Sequence, residues 1–545
     1  MASSHPFFCI ALLSLVAGGE PPPVAEAKNG MVSSAHPLAT QAGLEILKAG
    51  GNAFDAAIAV AAALNVVEPM MSGVGGYGTI LVYDAKTDRV RFLNPSGLIP
   101  AAVESDVYRP PTPNYMENRR GAKAVSTPGN ANAWEAMSKE YGKLAWGQLF
   151  DPAIRLAREG FDLDDRTARS IRSAFRSFPD HAKLIYGREG QPLDSGETLV
   201  QADLARSISQ IAEVGASAVH GGSIGAAIDV AMKEAGGFLS LKDLADNEAE
   251  WWEPIAVKYR DCTVYTAAPP ANSFPALLRL GMMSEYDVGA LGHNSAEYLH
   301  RYAEVTKHAF WARLRWAGDP EIAPPPLERI LSADYWNEQV ERIDPAKAKP
   351  FEYPKGVTDG RHTTHFVVAD SQGNIVSATQ TLGNSFGSRI MAEGTGIWLN
   401  NSLAYCTFEP AGNPMDAHPG RRKLSGDVPA IVMRDGKPWI AIGTPGGHTI
   451  AQVVPQMLMN MIDFDMDVQA AISAPRISFV EPDTMACEAG IPESTRKALE
   501  AMGHKVTVRA LGNAHGLAIE YGPDGKPSRF TGGADPRGVG AAKGY

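Results

Sequence analysis

Apolar residues recur along this chain in two rhythms. Between Pro37 and Pro69 the spacing is helical. Leu44, Ile46 and Leu47 lead into Gly50-Gly51, a helix-ending signal, and Asn52 stands where the cap of a second helix belongs. That second segment, residues 53–67, is apolar on nearly every side except Asp55, which predicts a helix buried all round. Asp151-Pro152 opens another helix that closes at Gly160, and Asn294-Ser295 starts a long amphipathic one running to Trp316. After residue 360 the rhythm shortens to alternation. Residues 365–369 (HFVVA) and 375–381 (IVSATQT) flank Ser371-Gln-Gly-Asn374 and predict a hairpin. Strands at 430–433 and 439–442 and a helix over 449–462 come next. With helices mostly ahead of residue 360 and strands clustered after it, the class is α+β with a sheet core.

The chain has 545 residues, 44% of them hydrophobic and 20% charged, enough to bury a sizeable core unaided. Its 50 basic and 61 acidic residues leave a net charge of −11, which argues against nucleic acid as a partner. No apolar run reaches the ~20 residues of a membrane span. Cys9, Cys262, Cys406 and Cys487 are far apart and form no CxxC, so buried free thiols are expected. Residues 7–17 are an apolar stretch of leader length, and Ala25-Glu26-Ala27 reads as a small-x-small cleavage site. Residues 1–27 are therefore a candidate signal peptide, implying a periplasmic or secreted protein. No Lys or Arg precedes Phe7, however, and a start at Met31 would leave the protein cytoplasmic.

Three motifs suggest chemistry that their context does not support. Gly73-Val-Gly-Gly-Tyr-Gly78 matches GxGxxG, but a helix precedes it and a strand comes after, the reverse of a dinucleotide site. Gly383-Asn-Ser385-Phe-Gly387 matches the GxSxG elbow of serine hydrolases, yet the residues after Gly387 have no helical period. His362 and His365 sit three apart on a strand, on opposite faces, so they cannot share a metal.

One further stretch matters more: Asp359-Gly-Arg-His362-Thr363-Thr364-His365, a polar loop running straight into a strand. A threonine there is ordinary by itself, but eight other strings accompany it in order. They are residues 42–69, Gly73–Gly78, Ser126-Thr-Pro-Gly129, Gly318-Asp-Pro320, Ile343-Asp-Pro-Ala-Lys-Ala-Lys-Pro350, Asn400-Asn401, Gly443-Thr-Pro-Gly-Gly447 and Ala534-Asp-Pro-Arg537. Together they make the chain, from about Met31 to Tyr545, resemble the γ-glutamyltranspeptidase family of N-terminal-nucleophile hydrolases, which includes glutathione hydrolases and acylases of the cephalosporin type.

The resemblance implies a four-layer αββα sandwich and a precursor that cuts itself between His362 and Thr363. Residues 28–362 would form a large subunit and 363–545 a small one, intertwined as one domain. Thr363 would be the nucleophile and its freed α-amine the base; an α-amine titrates near ~7.7–8.0, whereas the uncut amide nitrogen is no base. Thr381 matches the threonine that orients the nucleophile, and Gly446 and Gly447 match the pair whose N–H groups stabilise the oxyanion. The substrate would be a small-molecule amide, with water or an amine as acceptor. No cofactor and no metal are implied.

Recognition of the acyl group departs from the family. Where an arginine is expected before Pro100-Ala101, the chain reads Asn94-Pro-Ser96-Gly97. The asparagine expected two residues after Thr381 is Gly383, with Asn384 one step along. Past Asn400-Asn401 stand Ser402-Leu-Ala-Tyr405 in place of glutamine and aspartate, and of a double serine Ser425 remains and Gly426 does not match. The 408–424 loop is short, as in members lacking a lid. Asn384, Tyr405, Ser425 and Gly426 are the candidate substrate-binding residues, and Arg389, Arg421 or Arg422 the candidates to replace the arginine. The first reading is a γ-glutamyltransferase or glutathione hydrolase; the alternative beside it is a cephalosporin-acylase-like amidase of the same fold whose acyl group is not a free γ-glutamyl zwitterion, with a neutral or aromatic group favoured. Further off stand a serine hydrolase using Ser385 and a processed binding protein.

Overall fold

The computed structural model describes residues 22–109, 119–350, 362–480 and 483–545. Cys9, the apolar stretch over 7–17 and residues 359–361 before the expected cut lie outside them. Two seven-stranded antiparallel sheets stack face to face, with helices on both outer sides. One sheet runs 25–27, 527–534, 515–521, 437–443, 430–434, 262–266, 255–259. The other runs 541–544, 30–34, 362–370, 375–383, 77–84, 89–94, 250–252. This is the αββα sandwich, but half of its strands precede residue 360, against the expectation that they cluster after it. Tyr77–Asp84 is buried on both faces and shows no alternation, and Glu250–Trp252 is too short to show one.

The pleat of the central hairpin sorts its side chains between two cores. Phe366 and Val368 join the helix-side core with Val60 and Leu64, while Val367 and Ala369 join the layer between the sheets with Ile431, Ala441 and Leu517. Helices Pro37–Lys48 and Ala53–Val67 cover the hairpin sheet; Phe274–Ser284, Ala296–Trp316 and Ile450–Ile462 cover the other. Asn52 caps the buried helix by accepting from the N–H groups of Phe54 and Asp55, each at 3.0 Å. Asp55 answers by accepting from the Asn52 N–H at 3.1 Å and also takes the N–H groups of Lys143 and Leu144, which accounts for a carboxylate in an otherwise apolar helix. Residues Ala25–Ala27 form an edge strand paired with Phe530–Gly532. Cys262, Cys406 and Cys487 are buried free thiols, and among the described residues no helix is long and apolar enough to cross a membrane.

The terminal Ala534-Asp-Pro-Arg537 string closes a buried ion network. Arg476 Nη2 reaches Asp535 at 2.6 Å, Arg537 pairs with both Asp535 and Glu488, and the Ala514 N–H donates to Asp535 at 2.8 Å. Burial alone would raise the Asp535 carboxyl, but Arg476 and Arg537 hold it down at about 2. Removing one member strands the others, at a typical cost of about 3–5 kcal/mol. Asp535→Asn is therefore expected to lower the urea midpoint strongly at pH 7. Because the folded pKa lies below the unfolded value near ~3.9, this stabilisation is present above pH ~4 and is lost as pH falls toward 2. The gap between the wild-type and variant midpoints should close over that window.

Candidate active site

Thr363 sits at the head of strand His362–Asp370, directly opposite Thr381 on Ile375–Gly383, where the ladder shifts register between His362 and Thr363. Both threonines are buried, and the Thr363 hydroxyl donates to Thr381 Oγ1 at 3.2 Å. Thr381 Oγ1 also accepts the Gly383 N–H at 2.7 Å, which fixes its position. Tyr77 lies across from Thr381 on the next strand, its hydroxyl toward the threonine side chain.

Alternation puts Thr363 and His365 on the face turned to the other sheet and Thr364 on the helix side. There Thr364 donates to Glu68 Oε2 at 2.9 Å, and Glu68 pairs with Arg166 at 3.3 Å, which anchors the strand at the residue beside Thr363. His365 Nδ1 lies 2.8 Å from Thr379 Oγ1, and its ring packs on the backbone of Gly443. Burial, then the neighbouring His515, keep its pKa well below the usual range, so it is neutral near pH 7.

Three residues past Gly443 come Gly446 and Gly447, with φ of 138° and 58°. They open the short turn Gly447–Thr449 that feeds helix Ile450–Ile462, so their N–H groups lie at the positive end of a helix. Thr449 Oγ1 donates to the Gly446 carbonyl at 2.8 Å and braces the turn. The His448 ring meets Tyr405 edge-on at 6.5 Å, linking this turn to the opposite wall.

Tyr405 ends the short helix Ser402–Tyr405, and Gly426 lies against its ring edge. Ser425 Oγ is 3.4 Å from Thr79 Oγ1, two residues along the strand from Tyr77. These three candidates thus gather on one side of the threonine pair. Asn384, three residues past Thr381, donates its N–H to Asn401 Oδ1 at 2.8 Å. Of the arginines, Arg421 is engaged by Asp319 at 2.7 and 2.9 Å, and Arg389 bonds Ser177. Arg422 alone of the three bonds to the segment that lacks the expected arginine: it donates to the Ser96 carbonyl at 2.9 Å while pairing with Glu250 at 2.6 Å.

Two residues that patterning along the chain does not single out stand in the same wall. Lys423 and Asp427 flank Ser425-Gly426, and both are buried. Lys423 Nζ lies 3.0 Å from the Tyr77 ring centroid and 5.3 Å from that of Tyr405, with no hydrogen-bond partner among the described residues. Asp427 Oδ2 accepts from Thr79 Oγ1 at 3.3 Å. Their only signal in the sequence is an oppositely charged pair four apart around the serine.

The motifs set aside behave as packing elements. A Cβ on Gly75 would fall 2.1 Å from the Trp398 carbonyl, and the Gly75 carbonyl accepts both the backbone N–H and the Nδ2 of Asn400 at 3.0 Å. The glycine run therefore packs backbone on backbone, with the helix before it and the strand after it. Past Ser385 the chain turns into the two-residue strand Met391–Ala392 with no helix. A buried His300, Glu304 and His504 cluster has metal-like composition, but His300 bonds His504 at 2.8 Å and Lys307 Nζ reaches Glu304 at 2.5 Å, so an ammonium already fills the cation's place.

The gamma-glutamyltranspeptidase family profile matches residues 39–545. The chain belongs to this family. A glutathione hydrolase proenzyme of Escherichia coli (strain K12) is 34% identical over 534 residues, 94% of this chain and 91% of that protein. An Acylase ACY 1 proenzyme of Pseudomonas sp. (strain V22) is 35% identical over 518 residues, covering 92% and 91%. The crystal structure of cephalosporin acylase from Bacillus halodurans superposes with a TM-score of 0.86 at 29% identity, over 98% of this chain and 99% of that one.

Within this γ-glutamyltranspeptidase scaffold, the missing asparagine at Gly383 is a matter of geometry as well as of identity. Gly383 has φ 98°, and a Cβ there would lie 2.2 Å from Asn401 Oδ1, which is itself held by the Asn384 N–H and, through Nδ2, by the Arg119 carbonyl. Gly383→Asn is thus expected to cost about 1–3 kcal/mol of stability and to bring no gain on a γ-glutamyl anilide. Thermal unfolding and initial rates on that substrate check both halves.

Proposed function

We propose that the chain is the precursor of an N-terminal-threonine amidohydrolase, cut between His362 and Thr363, that cleaves a small-molecule amide through an acyl-Thr363 ester. The observation that supports it most is the Thr363–Thr381 hydroxyl pair at 3.2 Å, buried at the head of the central hairpin. Hydrolysis of the His362–Thr363 peptide bond leaves a carboxylate on the 28–362 piece and an α-amine on the 363–545 piece. In the amide reaction that amine takes the Thr363 hydroxyl proton as Oγ1 attacks the carbonyl carbon. Thr381 holds Oγ1 in place. The N–H groups of Gly446 and Gly447 receive the oxyanion, each such donor typically lowering the barrier by about 2.7–4 kcal/mol. The proton passes to the departing amine, and water, or an acceptor amine in transfer, then attacks the ester.

The acyl group we infer is other than a free γ-glutamyl zwitterion. By the family resemblance, the 94–97 segment and Gly383 stand where the family grips its charges, and Arg422, which donates to the Ser96 carbonyl, is paired with Glu250. This favours the acylase side of the family over the glutathione hydrolase side. A periplasmic or secreted location goes with the reading of residues 1–27 as a signal peptide.

Intact mass and N-terminal sequencing of the purified protein test the cut: two chains are expected, the smaller beginning at Thr363. Thr363→Ala should stay uncut and inactive, whereas Ser385→Ala should keep both functions; the opposite pattern would establish the serine elbow. Because the base must be deprotonated, kcat/KM should rise with pH through a single ionisation near ~7.7–8.0. His365 adds no limb near 6.5, since it is already neutral there. Thr381→Val should cut kcat about 10²-fold with processing slowed alongside.

A further inference from the structure

Glu68 is a carboxylate in an adverse place. It stands at the C-terminal end of helix Ala53–Val67, where its N–H closes the last turn on the Leu64 carbonyl at 2.9 Å. A carboxylate there adds negative charge to the negative end of the helix dipole. The residue is also 1% exposed, and burial raises its pKa. Two contacts hold the charged form: Oε2 accepts the Thr364 hydroxyl at 2.9 Å, and Oε1 accepts from Arg166 Nη1 at 3.3 Å. Ending a helix requires neither.

The backbone fixes this carboxylate against both strands of the threonine pair. The Met71 N–H donates to the Glu68 carbonyl at 2.9 Å, and the Met71 carbonyl accepts the N–H of Leu382, next to Thr381, at 2.8 Å. On the other strand Thr364 adjoins Thr363, so Glu68 is held one residue from the nitrogen that the proposed cut frees. Strand Gly30–Ser34 pairs only as far as Phe366 and leaves this side of the strand head to the polar side chains.

Arg166 lies on the outer side of Glu68, its side chain 27% exposed against 2%. Behind it, Asp164 accepts the Arg166 N–H at 2.7 Å and faces His36, which burial lowers to about 4 and leaves neutral. On the face turned to the other sheet, His365 and His515 are also buried and neutral, and burial keeps the Tyr77 hydroxyl protonated. Lys423 and Asp427, buried and of opposite sign, stand in the wall beyond Tyr77. Glu68 and Arg166 are thus an ion pair aligned on the strand head, carboxylate inward and guanidinium outward.

Resting on the N-terminal-threonine reading above, we propose that Glu68 and Arg166 are positioning residues for charge. The carboxylate raises and the guanidinium lowers the proton affinity of the Thr363 α-amine, and their balance keeps it a base near neutral pH. An uncompensated carboxylate would hold the amine as an ammonium, which cannot take the hydroxyl proton. An uncompensated guanidinium would deprotonate the amine but weaken it as a base.

Trace acetylation with acetic anhydride reads the amine without any substrate. Processed enzyme is labelled between about pH 6 and 10, and the acetylated N-terminal peptide of the small chain is measured against an added free amino acid by mass spectrometry. Wild type should give a midpoint in the ordinary α-amine range, ~7.7–8.0. Glu68→Gln keeps an oxygen for Thr364 and removes the charge; it should lower the midpoint by at least about half a pH unit. Arg166→Met should raise it by about as much. Shifts of opposite sign are the signature of charge. Midpoints that stay at the wild-type value, with activity or stability lowered, would make the pair structural and overturn the assignment. If one variant remains uncut, the other decides by itself; if both do, the pair belongs to maturation and the assignment falls. A wild-type chain not cut at 362/363 overturns the threonine reading, and this one with it.

Discussion

Everything in this molecule depends on the ladder at the centre of one sheet. Strand 362–370 pairs with 30–34 on one side and with 375–383 on the other, and 375–383 pairs in turn with 77–84. The hairpin that carries both threonines is thus clasped by strands from the other side of the proposed cut. Breaking one peptide bond at 362/363 frees a terminus but leaves those ladders, and the cores on either face, intact. An N-terminal nucleophile needs this arrangement: the new terminus must be rigid, inside the sheet and open to attack on a carbonyl. A cut in an exposed loop would satisfy only the last requirement.

The same ladder sets a polarity gradient in the layer between the sheets. At one end Val367, Ala369, Ile375, Ile431, Ala441 and Leu517 make a dry core. Toward the strand head the same face carries Thr363, His365, Thr379 and Thr381, with Thr79 and Tyr77 alongside. Buried hydroxyls are tolerable where they bond each other, and here they do: Thr363 to Thr381, Thr379 to His365, Thr79 to Asp427. The site is the polar end of a core, not a depression added to its surface.

Much of this was legible in the sequence. The Asn52 cap, the Gly160 stop, the Ser295 start and the hairpin around residues 371–374 all rest on local rules, and the structure keeps them. Apart from the one expected after the glycine run at 73–78, the strands before residue 360 were missed because a length of three to six residues erases the period that marks a strand. The threonine pair was legible through the family resemblance, and the structure sets its two members in register on one hairpin. Lys423 and Asp427 were not, because Lys-Leu-Ser-Gly-Asp reads as a solvated turn. Only the packing of residues 97–99, 270–272 and 421–427 on one another puts those charges inside.

Catalysis and specificity occupy different kinds of structure here, and that explains why one matches the family and the other does not. The proposed nucleophile, its proposed orienting hydroxyl and the two glycine N–H groups depend on strand register and a helix start, which cannot shift without disturbing the sheets. The acyl wall is assembled from the ends of loops at 94–99, 383–389, 402–408 and 421–427, held to each other by a few backbone bonds. Such segments can exchange an arginine for a serine, or place a lysine where an apolar residue would serve, without touching the ladder. A change of acyl group is therefore the variation this fold accommodates most readily.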